Sequence, residues 1–469
     1  MHQLRRRTIS RIVGRLHMHS IGAAAIAAAL APVASLASDL NENQASMAVA
    51  IRNTSLPAAE DPALCPSLVR KRSQEGGLTD VEQQLLDRCG RVVRASDATE
   101  QGDALQAITS EELNAPKSNT INFNRTNFSN IASRLASLRS ATGGVAMASN
   151  AADPVVSLLR NGGAAGDGDV GYMDGRLGAF VNGSFGSGDK SRTSYEAAYD
   201  FDLWAITGGV DYRFSDNFVG GLALAYADSS TDYDQGGSLS GDGLTGSVFG
   251  SWFGEQFYAD GILSYGSASY DSVRRVRYDI TQTSIPGETD SIDHTARGST
   301  DSNSLYAGLS LGYVFSSGGW QFGPIAAISY VDVDVDGFAE KGGNNPELNL
   351  RYKDQSAQSL QLQAGFDVSY AASMSWGILS PYARAVYVSE QEDGRTRFAI
   401  QYVSDPFRTP DTTARVTSDK PDTSFYRWAV GASAVFANGL AGFVDYESVS
   451  SLDSIDYSLV TVGLRYQFR

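Results

Sequence analysis

The chain has 469 residues and a formal net charge of −16, with 37 Lys and Arg residues against 53 Asp and Glu residues. Such an acidic surface argues against nucleic acid as a partner, because the phosphate backbone requires clustered Lys and Arg. Mean hydropathy is −0.21, and the sequence contains no run of about 18 apolar residues, which argues against a helical membrane protein.

Residues 1–37 have the pattern of a secretory signal peptide. Five arginines lie before an apolar, Ala-rich stretch, Ile21–Leu30, and small residues around Ser35 and Ala37 offer a cleavage site. An amphipathic surface helix is the weaker interpretation, because the apolar stretch has no polar face. We therefore expect the chain to be exported.

Residues 38–118 are poor in aromatic residues and rich in Ala, Ser, Asn and Asp, which predicts a largely flexible segment. Cys65 and Cys89 are the only two cysteines, and in an exported chain they are expected to pair. Thr79 followed by Glu82 predicts the capped start of a helix. We therefore predict a small, disulfide-pinned helical hairpin. A redox or metal-binding cysteine pair is disfavoured, because no His lies between them.

The next element is a predicted helix over residues 119–140. Apolar residues recur at helical spacing along it: Phe128, Ile131, Leu135 and Leu138. Arg125, Arg134 and Arg139 occupy other positions. A helix of about twenty residues spans about 30 Å, the height of a membrane barrel. We favour a helix inside a polar barrel lumen over one packed on a soluble domain. Residues 141–170 then read as a Gly/Ala-rich linker.

From residue 171 to residue 469 the chain is expected to form twelve alternating strands, joined in turn by short and long connections. The short joins are Ser215–Asn217, Gly254–Gln256, Ser316–Gly319, Ala371–Ser375 and Ala437–Gly439. The longest joins are Ser272–Asp301 and Gln391–Asp422. Outer-membrane barrels have tight periplasmic turns and long outer loops. A soluble sandwich has no reason to sort its joins in this way.

The two faces of these strands differ in chemistry. Apolar faces end in aromatic residues beside the short joins, as an interfacial girdle requires: Tyr212, Phe214, Tyr313, Phe315, Tyr370 and Phe436. The opposite faces carry charges of both signs: Asp211, Asp260, Asp367, Arg384, Arg427, Asp445 and Arg465. Such charges suit a hydrated or helix-filled lumen and would be costly in a dry core. The predicted fold is all-β: a twelve-stranded antiparallel transmembrane β-barrel with a lumen helix, preceded by a small, partly disordered helical segment.

Three stretches resemble a known family. They are Gly323–Glu340 with the following Leu350–Tyr352 and Gln361–Gly365, then Ser380–Ala385, and finally Thr461–Phe468. Together they resemble the β-domain of autotransporters, the type V secretion proteins of Gram-negative bacteria. At the end of the chain, Thr461, Gly463, Tyr466 and Phe468 are similar to the signal read by the barrel assembly machinery. Arg469 departs from this pattern, since many members end on the aromatic residue.

The resemblance covers residues 120–469 and implies an outer-membrane autotransporter β-domain. Residues 38–118 would be a short passenger-like segment that the barrel anchors and translocates to the cell surface. Outer-membrane lipid, lipopolysaccharide, the barrel assembly machinery and periplasmic chaperones are the implied partners. We expect a monomer without cofactor, metal or nucleic acid. The alternative is a plugged channel or structural barrel without translocation. Ser129 stands where self-cleaving members have the cyclising Asn before Asn130, so we expect no self-cleavage by that route.

A third hypothesis is an enzyme acting at the rim of the barrel. His294 is the only histidine after the predicted signal and lies beside Asp293 in a predicted long loop. We expect it to be solvated, and therefore expect no catalysis. Asp332, Asp334 and Asp336 alternate near the end of a strand. We expect a solvated, repulsive rim there, with a weak Ca²⁺ site as the alternative.

Overall fold

The computed structural model describes residues 40–147 and 176–468, apart from residues 54, 58, 75, 94, 96, 111, 113–114, 282–288 and 437–439. The predicted signal peptide and most of the predicted linker lie outside the described residues. Within the described part, an N-terminal group of helices leads into one long helix and then into a large antiparallel sheet.

Twelve long strands form a closed barrel wall, which confirms the predicted fold. They are β1 Leu177–Lys190, β2 Tyr199–Ser215, β3 Phe218–Tyr233, β4 Ser238–Phe253, β5 Phe257–Thr281, β6 Thr289–Tyr313, β8 Trp320–Val335, β10 Gln355–Tyr370, β12 Gly377–Glu390, β15 Ser424–Phe436, β16 Leu440–Ser450 and β17 Ile455–Gln467. The short strands are β7 Phe315–Ser317, β9 Leu350–Tyr352, β11 Ala372–Met374, β13 Arg397–Tyr402 and β14 Ala414–Thr417.

The wall closes where the first strand meets the last. β1 pairs with β17 in antiparallel register, from Gly178 opposite Gln467 to Lys190 opposite Ile455. Closure leaves no wall strand with an unpaired edge, which is the condition for a sheet that crosses lipid. All other pairings within the wall join wall strands that follow one another along the chain.

Side chains alternate between the lumen and the outside along each strand. On β3 and β4, Leu222, Leu224 and Leu244 are about 60 % exposed, as lipid-facing residues are in the absence of lipid. The inward positions in the middle of β4, from Gly241 to Ser247, are small, and Gly243 is one of them. A Cβ at Gly243 would lie 3.4 Å from the Phe123 ring of the helix in the lumen. Small inward residues therefore make room for a helix inside the barrel.

The long join predicted over Ser272–Asp301 is mostly strand, so that loop prediction is wrong. β5 continues to Thr281 and β6 begins at Thr289, and the two pair with each other throughout. Their barrel neighbours stop earlier, since β4 pairs only to Val273 and β8 only to Ser302. We call the part of β5 and β6 beyond these residues the extension. Its apolar face is buried by partners distant in sequence, which the local pattern does not reveal.

The second predicted long join, Gln391–Asp422, also contains structure. β13 and β14 pair within it, and β13 pairs with β9 from the preceding long join. The result is a small three-stranded sheet in the order β14–β13–β9. The extension and this sheet stand at the end of the barrel that carries the long joins, which we call the long-loop end. The opposite end is the short-turn end.

Among the described residues, four helices precede the long helix: α1 Glu42–Ile51, α2 Leu64–Arg72, α3 Asp80–Val93 and α4 Ala98–Thr109. The predicted capping box is present, since Thr79 N donates to Glu82 Oε2 at 2.9 Å and Glu82 N donates to Thr79 Oγ1 at 3.3 Å. A disulfide joins Cys65 to Cys89, as predicted, and ties α2 to α3.

The prediction that residues 38–118 are largely flexible is wrong for the described part. Residues 40–110, here called the helical cap, share one buried apolar cluster with the extension and the three-stranded sheet. Leu64, Leu68 and Leu105 are each no more than 2 % exposed within it. Ala-rich helices bury little surface on their own, so the order of this segment depends on the barrel's long joins.

The fifth helix, α5, spans Ala115–Met147. It begins before the predicted start at residue 119 and continues past residue 140, so the first residues assigned to a linker are helical. Its 33 residues correspond to about 50 Å at 1.5 Å per residue. The helix is therefore longer than the membrane is thick, and it joins the helical cap to the lumen.

Candidate functional site

The beginning of α5 lies at the long-loop end of the lumen. Asn119 Nδ2 donates to Ser229 Oγ at 3.2 Å and to Thr231 Oγ1 at 3.3 Å, both near the end of β3. Thr120 Oγ1 lies 2.7 Å from Tyr270 Oη. These contacts fix where the helix enters the barrel.

A ladder of asparagines three residues apart holds the middle of α5 to the wall. Each donates its Nδ2 to a wall hydroxyl at 2.9 Å: Asn124 to Ser304, Asn127 to Ser247 and Asn130 to Thr207. Asn130 also accepts from Ser184 Oγ at 2.6 Å through its side chain and from Asn182 Nδ2 at 3.0 Å through its carbonyl. Amide side chains suit a wall of Ser and Thr, because they donate and accept at once.

The direction of α5 follows from these partners. Thr231 is near the long-loop end of β3, whereas Thr207 and Ser184 are near the middle of β2 and β1. Further along the helix, Ile131 and Leu135 are fully buried in a cluster that includes residues near the short-turn end, Phe180 and Val219. The chain therefore runs down the lumen from the long-loop end toward the short-turn end.

The predicted lumen charges face inward in the structure, and each of them has a partner. Contacts of 3.5 or 3.6 Å join Arg384 to Asp367, Arg427 to Glu447 and Arg465 to Asp211. Asp445 accepts from Tyr382 Oη at 2.5 Å, and Asp260 accepts from Ser251 Oγ at 2.6 Å. The sequence analysis did not identify Glu447 or the two hydroxyl partners, Tyr382 and Ser251. Glu447 could have been found, because it lies two residues after Asp445 and so shares its face.

Of the arginines predicted on the lumen helix, Arg125 lines lumen cavities together with Arg427. The side chains of Arg134 and Arg139 lie outside the described residues. None of the described helices, α5 included, is long and apolar enough to cross a membrane.

The residues of the predicted assembly signal alternate between the two faces of β17. Thr461 Oγ1 lies inside, 2.9 Å from Ser184 Oγ. A Cβ at Gly463 would lie 2.1 Å from the Phe443 ring, so the close approach of this ring requires glycine. Tyr466 and Phe468 face outward with ring centroids 5.3 Å apart. The geometry thus presents two aromatic rings on the lipid side at the end of the chain.

An ion cluster joins the helical cap to the extension. Arg88 on α3 donates to both oxygens of Asp290 on β6, at 2.9 and 2.7 Å. It also donates to Glu347 Oε1 and to Asn345 Oδ1, each at 3.1 Å. The carboxylates raise the pKa of Arg88 above its ordinary value although burial alone would lower it. One side chain of the cap thus bridges the extension and the loop before β9.

The cap also covers an exposed strand edge. Asn43 on α1 accepts from Thr417 N at 2.7 Å and donates to Thr417 O at 3.0 Å, so its amide pairs with β14 as a neighbouring strand would. Ser46 Oγ accepts from Arg415 N at 2.7 Å. An uncovered edge is a site for unwanted pairing with other chains. The cap therefore completes the three-stranded sheet.

Beneath the cap lies a buried ion pair. Arg274 donates to both oxygens of Glu340 at 2.7 Å, and both side chains are no more than 2 % exposed. Glu340 also accepts from Leu350 N and Tyr352 Oη, each at 2.8 Å. Burial would lower the pKa of Arg274, but the Glu340 carboxylate raises it above its ordinary value. Such a pair is costly to break, so it fixes the extension against β9.

His294 is not in a flexible loop, so that prediction is wrong. It lies on β6 within the extension and is fully buried. Its Nε2 lies 3.0 Å from Asn349 Oδ1, and its Nδ1 accepts from Asn345 N at 3.3 Å. Burial lowers the pKa of the imidazole. Both ring nitrogens are engaged within the protein, which makes this histidine a structural residue of the extension.

The three alternating aspartates lie at the long-loop end of β8. Asp332 accepts from Gln358 Nε2 on β10 at 3.2 Å, and Asp334 and Asp336 are exposed. Within the described ranges, no group of three or more His, Cys, Asp or Glu side chains is arranged to hold a metal ion. The three carboxylates form a charged rim at this end of β8.

Two comparisons with known proteins concern the sequence. A family model described as autotransporter beta-domain matches residues 179–447. Esterase EstA of Pseudomonas aeruginosa is 25 % identical over 211 residues, which are 44 % of this chain and 30 % of that protein. The chain thus spans less than a third of the length of this relative.

Two solved structures are also similar. The translocator domain of autotransporter NalP from Neisseria meningitidis has a TM-score of 0.49 and 17 % identity, and the match covers 62 % of this chain and 88 % of that one. The β-domain of the Bordetella autotransporter BrkA has a TM-score of 0.41 and 19 % identity, covering 62 % and 100 %.

Proposed function

The chain belongs to the autotransporter β-domain family, and on that premise we propose that its barrel translocated the helical cap and now holds it at the cell surface. Its place is the outer membrane of a Gram-negative bacterium. The observation that carries the proposal is the direction of α5. The helix enters at the long-loop end, so the residues before it stand on that side of the barrel.

The long-loop end of an outer-membrane barrel faces the outside of the cell. If this barrel follows the rule, the helical cap is extracellular, and α5 occupies the path by which the cap crossed the membrane. A periplasmic cap would require the chain to enter the lumen from the opposite end. The alternative, a plugged channel without translocation, does not account for a chain that enters the lumen from the long-loop end.

The cap is docked, and this supports retention of the segment as a fixed part of the surface. Arg88 and Asn43 bind the extension and β14, and the cap shares its apolar cluster with both. Asn130 in the lumen is fully buried, and its side chain is held by Thr207 and Ser184. We infer that the chain is not cut before Asn130, because the position that would have to cyclise is Ser129, which has no side-chain amide to attack the backbone carbonyl.

Hydrolysis is a property of the relative named an esterase, and we propose that it does not extend to this chain. The family domain matched here is a transport domain. His294, the histidine available after residue 37, has both ring nitrogens bound inside the extension. A general base must instead reach a substrate proton or a nucleophile.

We also propose partners that follow from the wall. Exposed Leu222, Leu224 and Leu263 form part of an apolar band suited to lipid, with lipopolysaccharide at the outer leaflet. The outward rings of Tyr466 and Phe468 suit recognition by the barrel assembly machinery. Periplasmic chaperones would hold the unfolded strands before insertion. One barrel closes on itself, so we propose a monomer.

The experiment uses a protease-cleavable tag inserted between Gly76 and Gly77. This turn joins α2 to α3, and a side chain added there meets no other atom within 4 Å. The matched control inserts the tag at Gly318, in the open short turn between β7 and β8. Protease added to intact cells should cut the first tag and spare the second. Cutting at Gly318 with protection at Gly76 would reverse the orientation and contradict the proposal.

A further inference from the structure

A cavity of about 280 Å³ lies at the long-loop end of the lumen, beside the first turns of α5. It is bounded by α5 on one side and by β10, β12, β15, β16 and β17 on the other, with β1 and β2 closing it. Among the described residues, none of the helical cap contributes to its lining. The cavity is open to solvent, and its size is close to the lower limit of about 300 Å³ for small-molecule sites.

The inner part of this cavity is apolar and aromatic. The rings of Phe201 and Tyr457 stack with centroids 5.9 Å apart and an interplanar angle of 13°. Phe425 and Val449 belong to the same buried cluster, and Ile121 of α5 faces them. Both rings line the cavity, and aromatic side chains pack favourably against another ring.

The acidic side chains around the cavity are largely engaged by the protein itself. Lys190 binds Asp419 at 2.8 Å and Glu196 at 3.3 Å. Glu390 accepts from Ser359 Oγ at 2.6 Å and from Leu360 N at 2.9 Å. The other two lining carboxylates are Glu392, which is exposed, and Asp422, which accepts from Asp453 N at 3.2 Å.

Lys117 is different. Its side chain is 4 % exposed, and its Nζ donates one hydrogen bond, to Thr396 Oγ1 at 2.6 Å. Across the described ranges, no carboxylate lies within ion-pair distance of it. An ammonium group carries three donors, and a buried charge without a counter-charge is unfavourable. The Phe398 ring, whose centroid is 5.9 Å from Nζ, offers only a weak partner.

Arg125 adds a second positive charge to the same side of α5. It lies two turns after Lys117 and faces the same cavity. In the described part of the chain it too has no carboxylate within ion-pair distance. The helix therefore presents two cations toward the aromatic part of the cavity, and none of the carboxylates that line the cavity lies within ion-pair distance of either.

We propose that this cavity is a binding site for a small organic anion with an aromatic or alicyclic body. The acidic group of the ligand binds Lys117 and faces Arg125, while its ring lies against Phe201 and Tyr457. A neutral hydrocarbon would leave Lys117 without a counter-charge. An organic cation would be repelled by Lys117 and Arg125 and would leave both without a counter-charge. The inference goes beyond translocation, because binding needs only the folded barrel with α5 in place.

The test is isothermal titration calorimetry on the full chain in detergent micelles, with 2-naphthoate as the probe and the heat of micelles alone subtracted. Saturable binding of 2-naphthoate is expected, while naphthalenemethanol and naphthylmethylamine, the neutral and cationic analogues, should bind at least tenfold more weakly. No saturable heat above the micelle blank, or equal binding of the cationic analogue, would overturn the proposal.

Variants identify the residue that binds the charge. Lys117→Met should weaken 2-naphthoate binding by about tenfold to a hundredfold, the range expected for one charge-assisted hydrogen bond. Lys117→Arg should retain most of the affinity. The matched control is Lys353→Met, because Lys353 is exposed and is not among the residues that line the cavity. Its effect should stay within twofold.

Each variant is first checked for the compact gel mobility of a folded barrel without heating. If Lys117→Met does not fold, Arg125→Gln replaces it and should reduce affinity for the anion but not for the neutral analogue. Unchanged affinity in both charge-removing variants would refute the site. Because purified protein is used, this outcome is independent of which side of the membrane the cap occupies.

Discussion

Replacing Arg88 tests whether the helical cap is held by the barrel's long joins. Arg88→Ala removes the donors to Asp290, Glu347 and Asn345. Asp290 keeps Arg91, whose Nη1 is 3.7 Å away. Glu347 is the residue most affected, because its side chain is 2 % exposed and would lose its cation.

The magnitude follows from this burial. Breaking a fully buried ion pair by removing one partner costs about 3–5 kcal/mol. The Arg88 side chain is 21 % exposed, so water can partly replace it. We therefore expect the free energy of opening of the cap to fall by about 2–4 kcal/mol. Adding Glu347→Gln to Arg88→Ala should recover part of this loss, because the unpaired charge is then removed.

The assay is native-state proteolysis of the purified protein, read as the rate of cleavage within the cap. Arg72→Ala is the control, because Arg72 is exposed at the end of α2 and should change the opening free energy by less than about 0.5 kcal/mol. Equal cleavage rates for Arg88→Ala and Arg72→Ala would refute the claim that this cluster holds the cap in place.

Three further predictions concern stability. Burial lowers the pKa of His294. The stability that the neutral imidazole gives the cap is therefore present above the ordinary pKa of about 6.5 and is lost as pH falls below it. Cleavage of the cap should rise between pH 7.5 and pH 5.5 more in wild type than in His294→Asn. Replacing Cys65 and Cys89 by Ser should lower the cap's opening free energy by about 3 kcal/mol and leave barrel melting unchanged. Asn130→Ala should destabilise the folded barrel by about 2–4 kcal/mol, seen as a lower temperature for loss of compact gel mobility, while Asn122→Ala should not.

The comparison with His294→Asn is needed because a second group titrates in the same window. Burial raises the pKa of Glu112 to about 7. Its contribution to stability is present at low pH and is lost as pH rises through about 7, opposite in sign to that of His294. Glu112 is present in both proteins, so its effect cancels in the difference. If the difference in cap cleavage between wild type and His294→Asn grew toward high pH, it would contradict the assignment of this pH effect to His294.

The barrel could be predicted from the sequence because its signal is local. Strand alternation, aromatic residues beside short turns and inward charges such as Asp367 and Arg384 are visible in neighbouring residues. The capping box at Thr79 could be predicted for the same reason. The disulfide could be predicted because only two cysteines are present. Closure then followed from the rule that no strand edge remains unpaired in lipid.

The extension and the cap could not be predicted in this way. Val276, Tyr278 and Ile280 alternate with Arg277 and Asp279, and this stretch resembles a polar loop until the cap that buries its apolar residues is known. The burial of His294 depends on Asn345 and Asn349, some fifty residues away. Lys117 also carries no local signal, because its unpaired state is a property of the assembled cavity.

The most direct test of the account is the direction of α5 in intact cells. We would form cysteine cross-links in a background in which the native pair is replaced by serine. Asn119→Cys with Thr231→Cys should form a disulfide, because these side chains approach to 3.3 Å at the long-loop end. Asn119→Cys with Ser251→Cys, near the short-turn end of β4, should not. Cross-linking of the second pair instead of the first would reverse α5, and the helical cap could not then be at the cell surface.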